Sequence, residues 1–238
     1  MRKVRADLHL HTCLSPCADS RMQATAIVER AKKVGLDMIA ICDHNSAENA
    51  AAVVKAGQRA GLAVIGGMEV TSSEEVHILG LFDTAADLMY MQDMVYENLP
   101  GENSEEAFGS QIVIDEWDNV VGKNPRLLIG ATTLTVEQIV DSIHRWAGVA
   151  IASHVDRERF SLIGQLGFIP QGLDLDALEV SRSCSTVLEY DYPVVTSSDA
   201  HFLDDIGRRS TCFMIESASL GEIRKALRRE MGRRIAGN

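Results

Sequence analysis

Six of the seven histidines lie at the ends of five short apolar segments of the sequence. His9 and His11 close the first of these segments with one residue between them. Side chains alternate along a strand, so these two imidazoles lie on the same face and could share a metal ion. The other histidines at such positions are His44, His77, His154 and His201. His144 lies inside a predicted helix and is assigned no role.

Carboxylates accompany these histidines. Glu69 and Asp199 each close a predicted strand, and Asp43 directly precedes His44. Imidazole and carboxylate ligands together favour zinc, manganese or iron, and a carboxylate can bridge two ions. The set is too large for one ion and predicts two or three, which is typical of a metal-dependent hydrolase acting on phosphate esters. A structural zinc site is the alternative, but it needs only four ligands and favours cysteine.

The elements that must position these residues alternate between strand and helix, which predicts a parallel sheet or barrel. In a parallel α/β barrel the carboxyl ends of the strands meet at one mouth, where we expect the histidines and carboxylates to converge. The predicted strands are Val4–Leu10, Leu36–Cys42, Leu62–Val70, Val76–Phe82, Gly148–Ser153, Leu173–Ser181, Val194–Ser198 and Arg209–Ile215. The predicted helices are Gln23–Val34, Ala47–Ala60, Val136–Trp146 and Leu220–Ile235.

One segment, from about residue 83 to residue 135, interrupts the alternation. Within it, Gln111–Asp115 and Val120–Val121 predict a β-hairpin with a four-residue turn. A segment of about fifty residues makes a small independent core, so we interpret it as an insertion on a barrel loop. The chain 1–238 is therefore predicted to form a single domain, with a C-terminal helix over about 220–235.

Composition disfavours several classes of protein. The 238 residues are 46% hydrophobic and 24% charged, as in an ordinary globular protein. The formal net charge of −11 disfavours a protein whose main role is to hold polyanionic nucleic acid. No segment reaches the roughly 18 apolar residues that a membrane span requires, and no apolar signal segment follows the N-terminus. The five scattered cysteines argue against a disulfide framework, so we predict a cytoplasmic protein.

Five ordered motifs resemble those of the PHP domain, named for polymerase and histidinol phosphatase. They are Asp7–Thr12, Cys42–Asn45, Met68–Val70, Ala152–His154 and Ser198–His201. The resemblance covers about residues 4–205. It implies an α/β fold, a distorted seven-stranded TIM-like β/α barrel, with a trinuclear metal cluster at its mouth.

Transferred position by position, the resemblance divides the ligands among three ions, with Glu69 bridging the first and the second. The three groups are His9, His11, Glu69 and Asp199; Glu69, His77 and His154; and His44, His201 and Cys17. Many members of the family have a histidine or an acid at the position of Cys17. Either a thiolate binds there and favours zinc, which is the interpretation we prefer, or the third site is weak.

The remaining cysteines, Cys13, Cys42, Cys184 and Cys212, are predicted to be buried small hydrophobic residues.

Three residues are predicted to act in catalysis, namely Asp43, Glu69 and Arg157. Asp43 would orient a ligand or carry a proton, unless it is an ordinary hydrogen-bond acceptor. Arg157 and Arg182 would grip a phosphate with their guanidinium groups, the alternative being surface ion pairs. A water molecule between two divalent ions would lose its proton near neutral pH and attack phosphorus.

The leading prediction is a metal-dependent phosphoesterase that hydrolyses a small phosphate monoester or nucleotide, with two or three divalent ions of zinc, manganese or iron as cofactors. One alternative is a PHP-type nuclease or proofreading module that acts on nucleic acid. The other is a non-catalytic, metal-binding regulatory protein. The partner expected is a small phosphorylated substrate, with no membrane and no stable binding of nucleic acid.

Overall fold

The computed structural model describes residues 1–181 and 190–236 of the chain. Within them, eleven strands form a nine-stranded sheet and a separate hairpin. The strands are β1 (Arg2–Leu10), β2 (Met38–Ile41), β3 (Ala63–Thr71), β4 (His77–Phe82), β5 (Ile112–Ile114), β6 (Val120–Lys123), β7 (Val149–Ala152), β8 (Ala177–Glu179), β9 (Val194–Val195), β10 (Thr211–Ile215) and β11 (Arg234–Ile235). The order in the large sheet is β11-β10-β1-β2-β3-β4-β7-β8-β9.

The large sheet curves into a nearly closed barrel, which confirms the α/β barrel class. A parallel bridge between Leu10 and Ala200 brings the segment after β9 back to the end of β1. The sheet has nine strands rather than the expected seven, because β10 and the short β11 add an antiparallel edge beside β1. Both of these strands come from the C-terminal part of the chain, so the sheet joins residues from the two ends of the described chain, and the single-domain organisation stays a prediction.

Strand β4 corrects the expectation of a parallel sheet. It runs antiparallel to both β3 and β7. The connection from Thr71 to His77 is too short for the crossover helix that a parallel neighbour needs, so the chain reverses directly. As a result Thr71, at the end of β3, pairs with His77, at the start of β4. The start of β4 therefore lies at the same end of the barrel as the ends of β2 and β3.

Seven helices lie among the described residues, and their burial follows helical spacing. In the first, Ala24, Ile27, Val28 and Ala31 are buried, which is the stripe of a helix packed on a sheet. The helices are α1 (Ala24–Lys33), α2 (Ala50–Ala60), α3 (Ala85–Glu97), α4 (Glu105–Phe108), α5 (Val136–Arg145), α6 (Leu162–Leu166) and α7 (Leu220–Leu227). None of them is long and apolar enough to cross a membrane.

The segment inserted between β4 and α5 is more regular than expected. Its first part is α3, which buries Leu88, Met91 and Val95 in the main apolar core. The predicted hairpin is present as β5 and β6, but Ile114 pairs with Val120, so five residues connect the strands rather than four.

The C-terminal helix is shorter than predicted. It ends at Leu227 instead of continuing to Ile235, because Arg229, Met231 and Gly232 all have left-handed backbone conformations, with φ of 56°, 50° and 79°. A right-handed helix cannot continue through such residues. The chain instead makes a short 3-10 turn, Glu230–Gly232, and then pairs with β10.

Candidate metal centre

Strand β1 shows how the sequence positions the polar residues of the site. Leu10, at the end of the strand, is fully buried in the apolar cluster that contains Ile27 and Ile39. The residues on either side of it, His9 and His11, take the other face because successive side chains alternate. Both imidazoles are fully buried, and their Nε2 atoms lie 3.2 Å apart.

All eight predicted histidine and acidic ligands lie together at this end of the barrel. Glu69, which is 1% exposed, is at the centre and contacts five imidazoles. Its Oε1 atom lies 3.0 Å from His77 Nδ1, 3.3 Å from His9 Nε2 and 3.4 Å from His154 Nε2, while its Oε2 atom lies 3.0 Å from His44 Nδ1 and 3.5 Å from His11 Nε2. Burial alone would raise the pKa of Glu69, but the imidazoles of His77 and His9 outweigh it and hold the pKa well below the usual range.

Asp199 is the second carboxylate of the centre. Its Oδ1 atom lies 3.1 Å from His11 Nε2, 3.4 Å from His9 Nε2 and 3.6 Å from His201 Nδ1. Burial opposes ionisation of Asp199, but His9 and His11 outweigh it and hold its pKa well below the usual range. Two ionised carboxylates thus lie among six imidazoles.

Among the residues of the five motifs, three that bend the chain at this end have left-handed backbones although they are not glycine. They are Asn45, His154 and Asp199, with φ of 47°, 29° and 51°. This conformation is uncommon for such residues and is found where the surrounding structure holds it in place. Each follows a strand end, and each bend redirects the chain at the point where the site residues lie.

Within the described part of the chain, several buried polar atoms of the cluster have no hydrogen-bond partner, which is the arrangement expected where a cation is shared. The buried Nδ1 atoms of His44, His77 and His154, and Oε1 of Glu69, have no hydrogen-bond partner among the described residues. Burying such atoms unpaired costs free energy, which coordination to a cation would recover. The donor set of imidazoles and carboxylates fits divalent zinc, manganese or iron.

Three sets of ligand atoms are close enough to hold a cation, each with its atoms within 4.8 Å of one another. They are His9, His11 and Asp199; His11, His44 and His201; and His44, Glu69 and His77. The structure therefore brings all eight histidine and acidic candidates together, and the sets differ from the predicted groups in three ways. Glu69 is absent from the set of His9, His11 and Asp199; His11 joins His44 and His201; and His44 takes the place of His154 beside Glu69 and His77.

Cys17 lies at the exposed edge of the centre. It belongs to none of the three sets, although its thiol lies next to the imidazoles of His201 and His44. Partial burial of the thiol raises its pKa, but these two imidazoles outweigh the effect and bring the pKa of Cys17 to about 6. The thiolate is therefore accessible near neutral pH, and ligation by Cys17 remains a prediction.

The other cysteines only partly match expectation. Cys13 and Cys42 are buried, as predicted, whereas Cys212 is partly exposed. Cys184 lies outside the described residues.

Asp43 supports the centre from behind. Its carboxylate accepts hydrogen bonds at 2.7 Å from the backbone and hydroxyl of Thr12 and from Ser15 Oγ. Because Ser15 gives its proton to Asp43, its oxygen must accept from His11 Nδ1, 3.0 Å away. This fixes the proton of His11 on Nδ1 and leaves Nε2 free to bind a cation. Asp43 thus contacts His11 through Ser15, and its role as an orienting residue stays a prediction.

Arg157 lies at the rim, on the loop that follows β7. Its Nη1 atom lies 2.6 Å from Asp199 Oδ2, and its Nε donates to Ser181 Oγ at 2.8 Å. These contacts aim the half-exposed guanidinium along the edge of the centre, where it could reach a phosphate. Arg182, the other predicted phosphate-binding residue, lies outside the described residues.

Sequence reasoning missed Glu179, on β8. It is 2% exposed; its carboxylate lies 3.1 Å from His9 Nδ1 and accepts a hydrogen bond from the backbone of His154. A signal was present in the sequence, since the predicted strand Leu173–Ser181 carries three acids and strand alternation places Glu179 on the opposite face from Asp174 and Asp176. A buried acid in such a strand needs a partner.

Asp7 was also missed, although it lies in the first motif. It is fully buried and accepts hydrogen bonds at 2.9 Å from the backbones of Ser198 and Gly207. Burial raises the pKa of Asp7 to about 6. Asp7 holds in place the segment that carries Asp199 and His201.

Two asparagines attach the inserted segment to the centre. Asn45 donates to the backbone oxygens of Leu128 and Gly130, both at 2.8 Å. Asn49 accepts from the backbone of Ile114 and donates to Thr12 Oγ1 at 2.9 Å. The segment is therefore fixed beside the mouth of the barrel.

A barrel that gathers imidazoles around two buried carboxylates at one end, with an arginine at the rim, defines the class of metal-dependent hydrolases. Comparison with known proteins then identifies the family. The profile of the PHP domain matches residues 7–165, and that of the PHP-associated region matches residues 180–231. The chain belongs to the PHP domain family.

Two curated relatives match short segments of the chain. One is the phosphoribosyl 1,2-cyclic phosphate 1,2-diphosphodiesterase of Eggerthella lenta, 34% identical over 80 residues, which are 32% of this chain and 29% of the relative. The other is the 5′-3′ exoribonuclease of Haemophilus influenzae, 32% identical over 78 residues, which are 32% of this chain and 27% of the relative. The chain thus covers less than a third of the length of either.

Solved structures share the fold over almost the whole chain. The lesion-specific endonuclease Q of Pyrococcus furiosus has a TM-score of 0.76 and 21% identity, covering 98% of this chain and 58% of that one. A structure assigned as a metal-dependent phosphoesterase from Bifidobacterium adolescentis has a TM-score of 0.60 and 19% identity, covering 95% of this chain and 96% of that one. At these identities the similarity shows a common fold.

Proposed function

We propose that this PHP-family hydrolase cleaves the phosphate ester of a small phosphorylated molecule or nucleotide, with two or three divalent ions bound at the barrel mouth. One observation carries the proposal. A single buried carboxylate, Glu69, contacts five imidazoles, several of whose buried nitrogens lack hydrogen-bond partners among the described residues. A structural metal site needs only four ligands, so it would not require so large a set. Phosphate-ester hydrolysis, in contrast, uses several ions.

Bound divalent ions would supply Lewis acidity and an activated water molecule. The residues that would hold them are the three sets described above, with Cys17 as a predicted addition at the edge. The protein orients its ligands through Glu179 behind His9 and Ser15 behind His11. Each contact places a proton on Nδ1 and turns Nε2 towards the carboxylates.

Arg157 is the proposed phosphate-binding residue. Its guanidinium is held by Asp199 and Ser181 at the rim, so that a phosphoryl group at the centre lies within reach of a fixed positive charge. An arginine at this position can form paired hydrogen bonds with phosphate oxygens. Because these bonds also neutralise charge that shifts during the reaction, we propose that Arg157 acts both in binding and in catalysis.

Nucleic-acid cleavage is the second candidate. Two observations support it, namely the shared fold with endonuclease Q and the short match to an exoribonuclease. One structure with the endonuclease Q fold, with a TM-score of 0.74 and 20% identity, holds a 27-mer duplex with an abasic lesion. We rank this candidate second because the formal net charge of −11 opposes the approach of a long polyanion.

The discriminating experiment is a hydrolysis panel with protein loaded with manganese or with zinc. The substrates are ribose 5-phosphate, histidinol phosphate, mononucleotides and short single-stranded and double-stranded oligonucleotides. We expect phosphate release from small esters, lost in Glu69→Gln. Hydrolysis of oligonucleotides alone would favour the second candidate, and no hydrolysis of any substrate would contradict both.

A second arm tests Arg157 against Arg159, which is exposed on the same loop. Hydrogen bonds to charged groups contribute about 1.5–3 kcal/mol, so Arg157→Ala should lower kcat/KM by roughly 10-fold to 150-fold. Arg159→Ala should leave it unchanged. Equal effects of the two variants would show that general charge, and not a placed guanidinium, binds the phosphate.

We also propose a cytoplasmic location. The four described cysteines, Cys13, Cys17, Cys42 and Cys212, are free thiols, as expected in a reducing compartment.

A further inference from the structure

A phenylalanine lies directly beside the metal centre and is not buried. Phe160, on the loop between β7 and α6, is 40% exposed. Its ring is stacked on that of His77, with the ring centroids 4.8 Å apart and the planes inclined by 15°. One face of the ring therefore lies on a metal-facing imidazole, and the residue remains open to solvent at the rim.

The protein holds this ring in place at a conformational cost. Phe160 has a left-handed backbone, with φ of 56°, which is unfavourable for a bulky residue. Its carbonyl accepts a hydrogen bond from the backbone of His77 at 3.0 Å. The neighbouring Ser161 donates to the carbonyl of Arg157 at 2.6 Å. Because the ring of Phe160 remains partly in solvent, its burial contributes little free energy to offset the backbone strain. Stability of the fold therefore does not explain why this conformation is adopted.

A second exposed phenylalanine follows another histidine of the centre in the chain. Phe202, which is 49% exposed, comes directly after His201 and borders a surface cleft whose lining carries both arginines and aspartates. Among the described residues, Phe160 is the exposed phenylalanine whose ring stacks on a histidine of the centre.

We propose that the substrate is a nucleoside phosphate and that Phe160 is a specificity residue whose ring stacks on its nucleobase. This inference rests on the proposed function and deepens it. Nucleotides are phosphate esters that carry a large flat aromatic base, and aromatic side chains bind bases of any sequence by stacking. The guanidinium of Arg157 and the ring of Phe160 lie on one short loop, so a phosphate and a base of one nucleotide could be bound together. The base belongs either to a free mononucleotide or to the terminal nucleotide of an oligonucleotide.

The test compares ligands that differ only in the base. Binding of AMP and of ribose 5-phosphate to manganese-loaded protein is measured by calorimetry, and so is binding of a dinucleotide and its analogue with one abasic residue. The variants are Phe160→Ala, Phe160→Trp and, as a matched control, Phe168→Ala, which removes a ring that is 57% exposed after α6. Thermal unfolding of each variant confirms that it is folded.

Stacking on one base predicts that Phe160→Ala weakens binding of the base-bearing ligand by about 5-fold to 150-fold. Binding of the base-free ligand should not change, Phe160→Trp should restore affinity, and Phe168→Ala should have no effect. The AMP pair and the dinucleotide pair distinguish a mononucleotide from a chain end, according to which pair shows the effect. Wild-type protein that binds base-bearing and base-free ligands equally, or a Phe160→Ala variant that weakens both equally, would overturn the inference.

Hydrolysis of the same ligands is measured in parallel. Base-dependent binding without hydrolysis would contradict the proposed function and leave the stacking site established. Hydrolysis without base dependence would contradict the stacking site alone.

Discussion

The carboxylate of Glu179 lies 3.1 Å from Nδ1 of His9, so that the opposite nitrogen of the imidazole faces Glu69 and Asp199. Glu179 and His9 are separated by 170 residues in the chain. The contact fixes both the orientation of the ring and the nitrogen that carries its proton. A residue that is not itself a predicted ligand therefore determines how a ligand is presented.

Replacing Glu179 with Gln should weaken metal binding while leaving all the predicted ligands in place. Loss of such a supporting partner typically costs 10-fold to 100-fold in metal affinity, roughly the range we expect here. Metal titration of the purified variant measures the effect. Asp174→Asn is the control. This substitution also removes one negative charge, and the side chain of Asp174 is 87% exposed. Equal affinities of the two variants would show that Glu179 only fills space behind His9.

Replacing Glu69 with Gln should remove more than one ion, because its two oxygens contact different histidines. A neutral amide is a poor ligand, so elemental analysis should show loss of metal together with loss of activity, and circular dichroism should show an intact fold. Glu97→Gln, on the exposed side of α3, controls for the loss of one negative charge. Near-normal metal content in Glu69→Gln would show that the carboxylate does not bridge.

Cys17 should determine the metal preference at the edge of the centre. A thiolate is softer than imidazole, so Cys17→His should keep an ion there and shift the preference from zinc towards manganese. Cys17→Ser should weaken or lose that ion, since a neutral hydroxyl is a poor ligand. Metal titration and turnover are measured side by side, which shows whether hydrolysis needs the third ion. Identical metal content and zinc preference in all three proteins would mean that Cys17 does not bind metal.

His144, which lies on α5 away from the metal centre, should make stability depend on pH. Its Nε2 atom donates to Asp176 at 2.9 Å, and this bond raises the pKa of His144, with Asp174 adding to the effect and Arg228 opposing it. A raised pKa in the folded state means that the protonated form is stabilised by folding. The contribution is fully present below the unfolded pKa of about 6.5 and is lost as the pH rises through the folded value.

The measurement is the urea midpoint of wild type and His144→Gln at pH 5.5 and at pH 8.5. We expect the variant to be less stable at the lower pH and to approach wild type at the higher pH. If wild type and His144→Gln differed in urea midpoint by the same amount at both pH values, the stabilisation would come from the hydrogen bond alone, without a change of charge.

The sequence by itself determined the barrel class and the set of candidate ligands, because both depend on local order. Strand alternation places His9 and His11 on one face, and the five motifs follow one another in a fixed order. The His-x-His pair and the acids at strand ends could therefore be assigned without knowing the packing. The hairpin and α5 followed in the same way from turn and helix signals.

Other features depend on contacts that no local pattern records. The left-handed residues Arg229 and Met231 end α7 early, although the sequence continues with helix-forming residues. The direction of β4 brings His77 to the mouth from the start of its strand rather than from the end. In each case the course of the backbone, and not the hydrophobic pattern, decides the position of the residue.

Only the tertiary structure decided how the ligands are held and which residues surround them. The sheet places β8 so that Glu179 lies behind His9, and the loop after β7 places Phe160 on His77. These pairs come from strands and loops far apart in the chain, and their separation is set by strand order and register. The sequence therefore specified which side chains could bind metal. The packing of the barrel decided which of their atoms face one another, because this depends on distances of a few ångströms between strands and loops that are far apart in the chain.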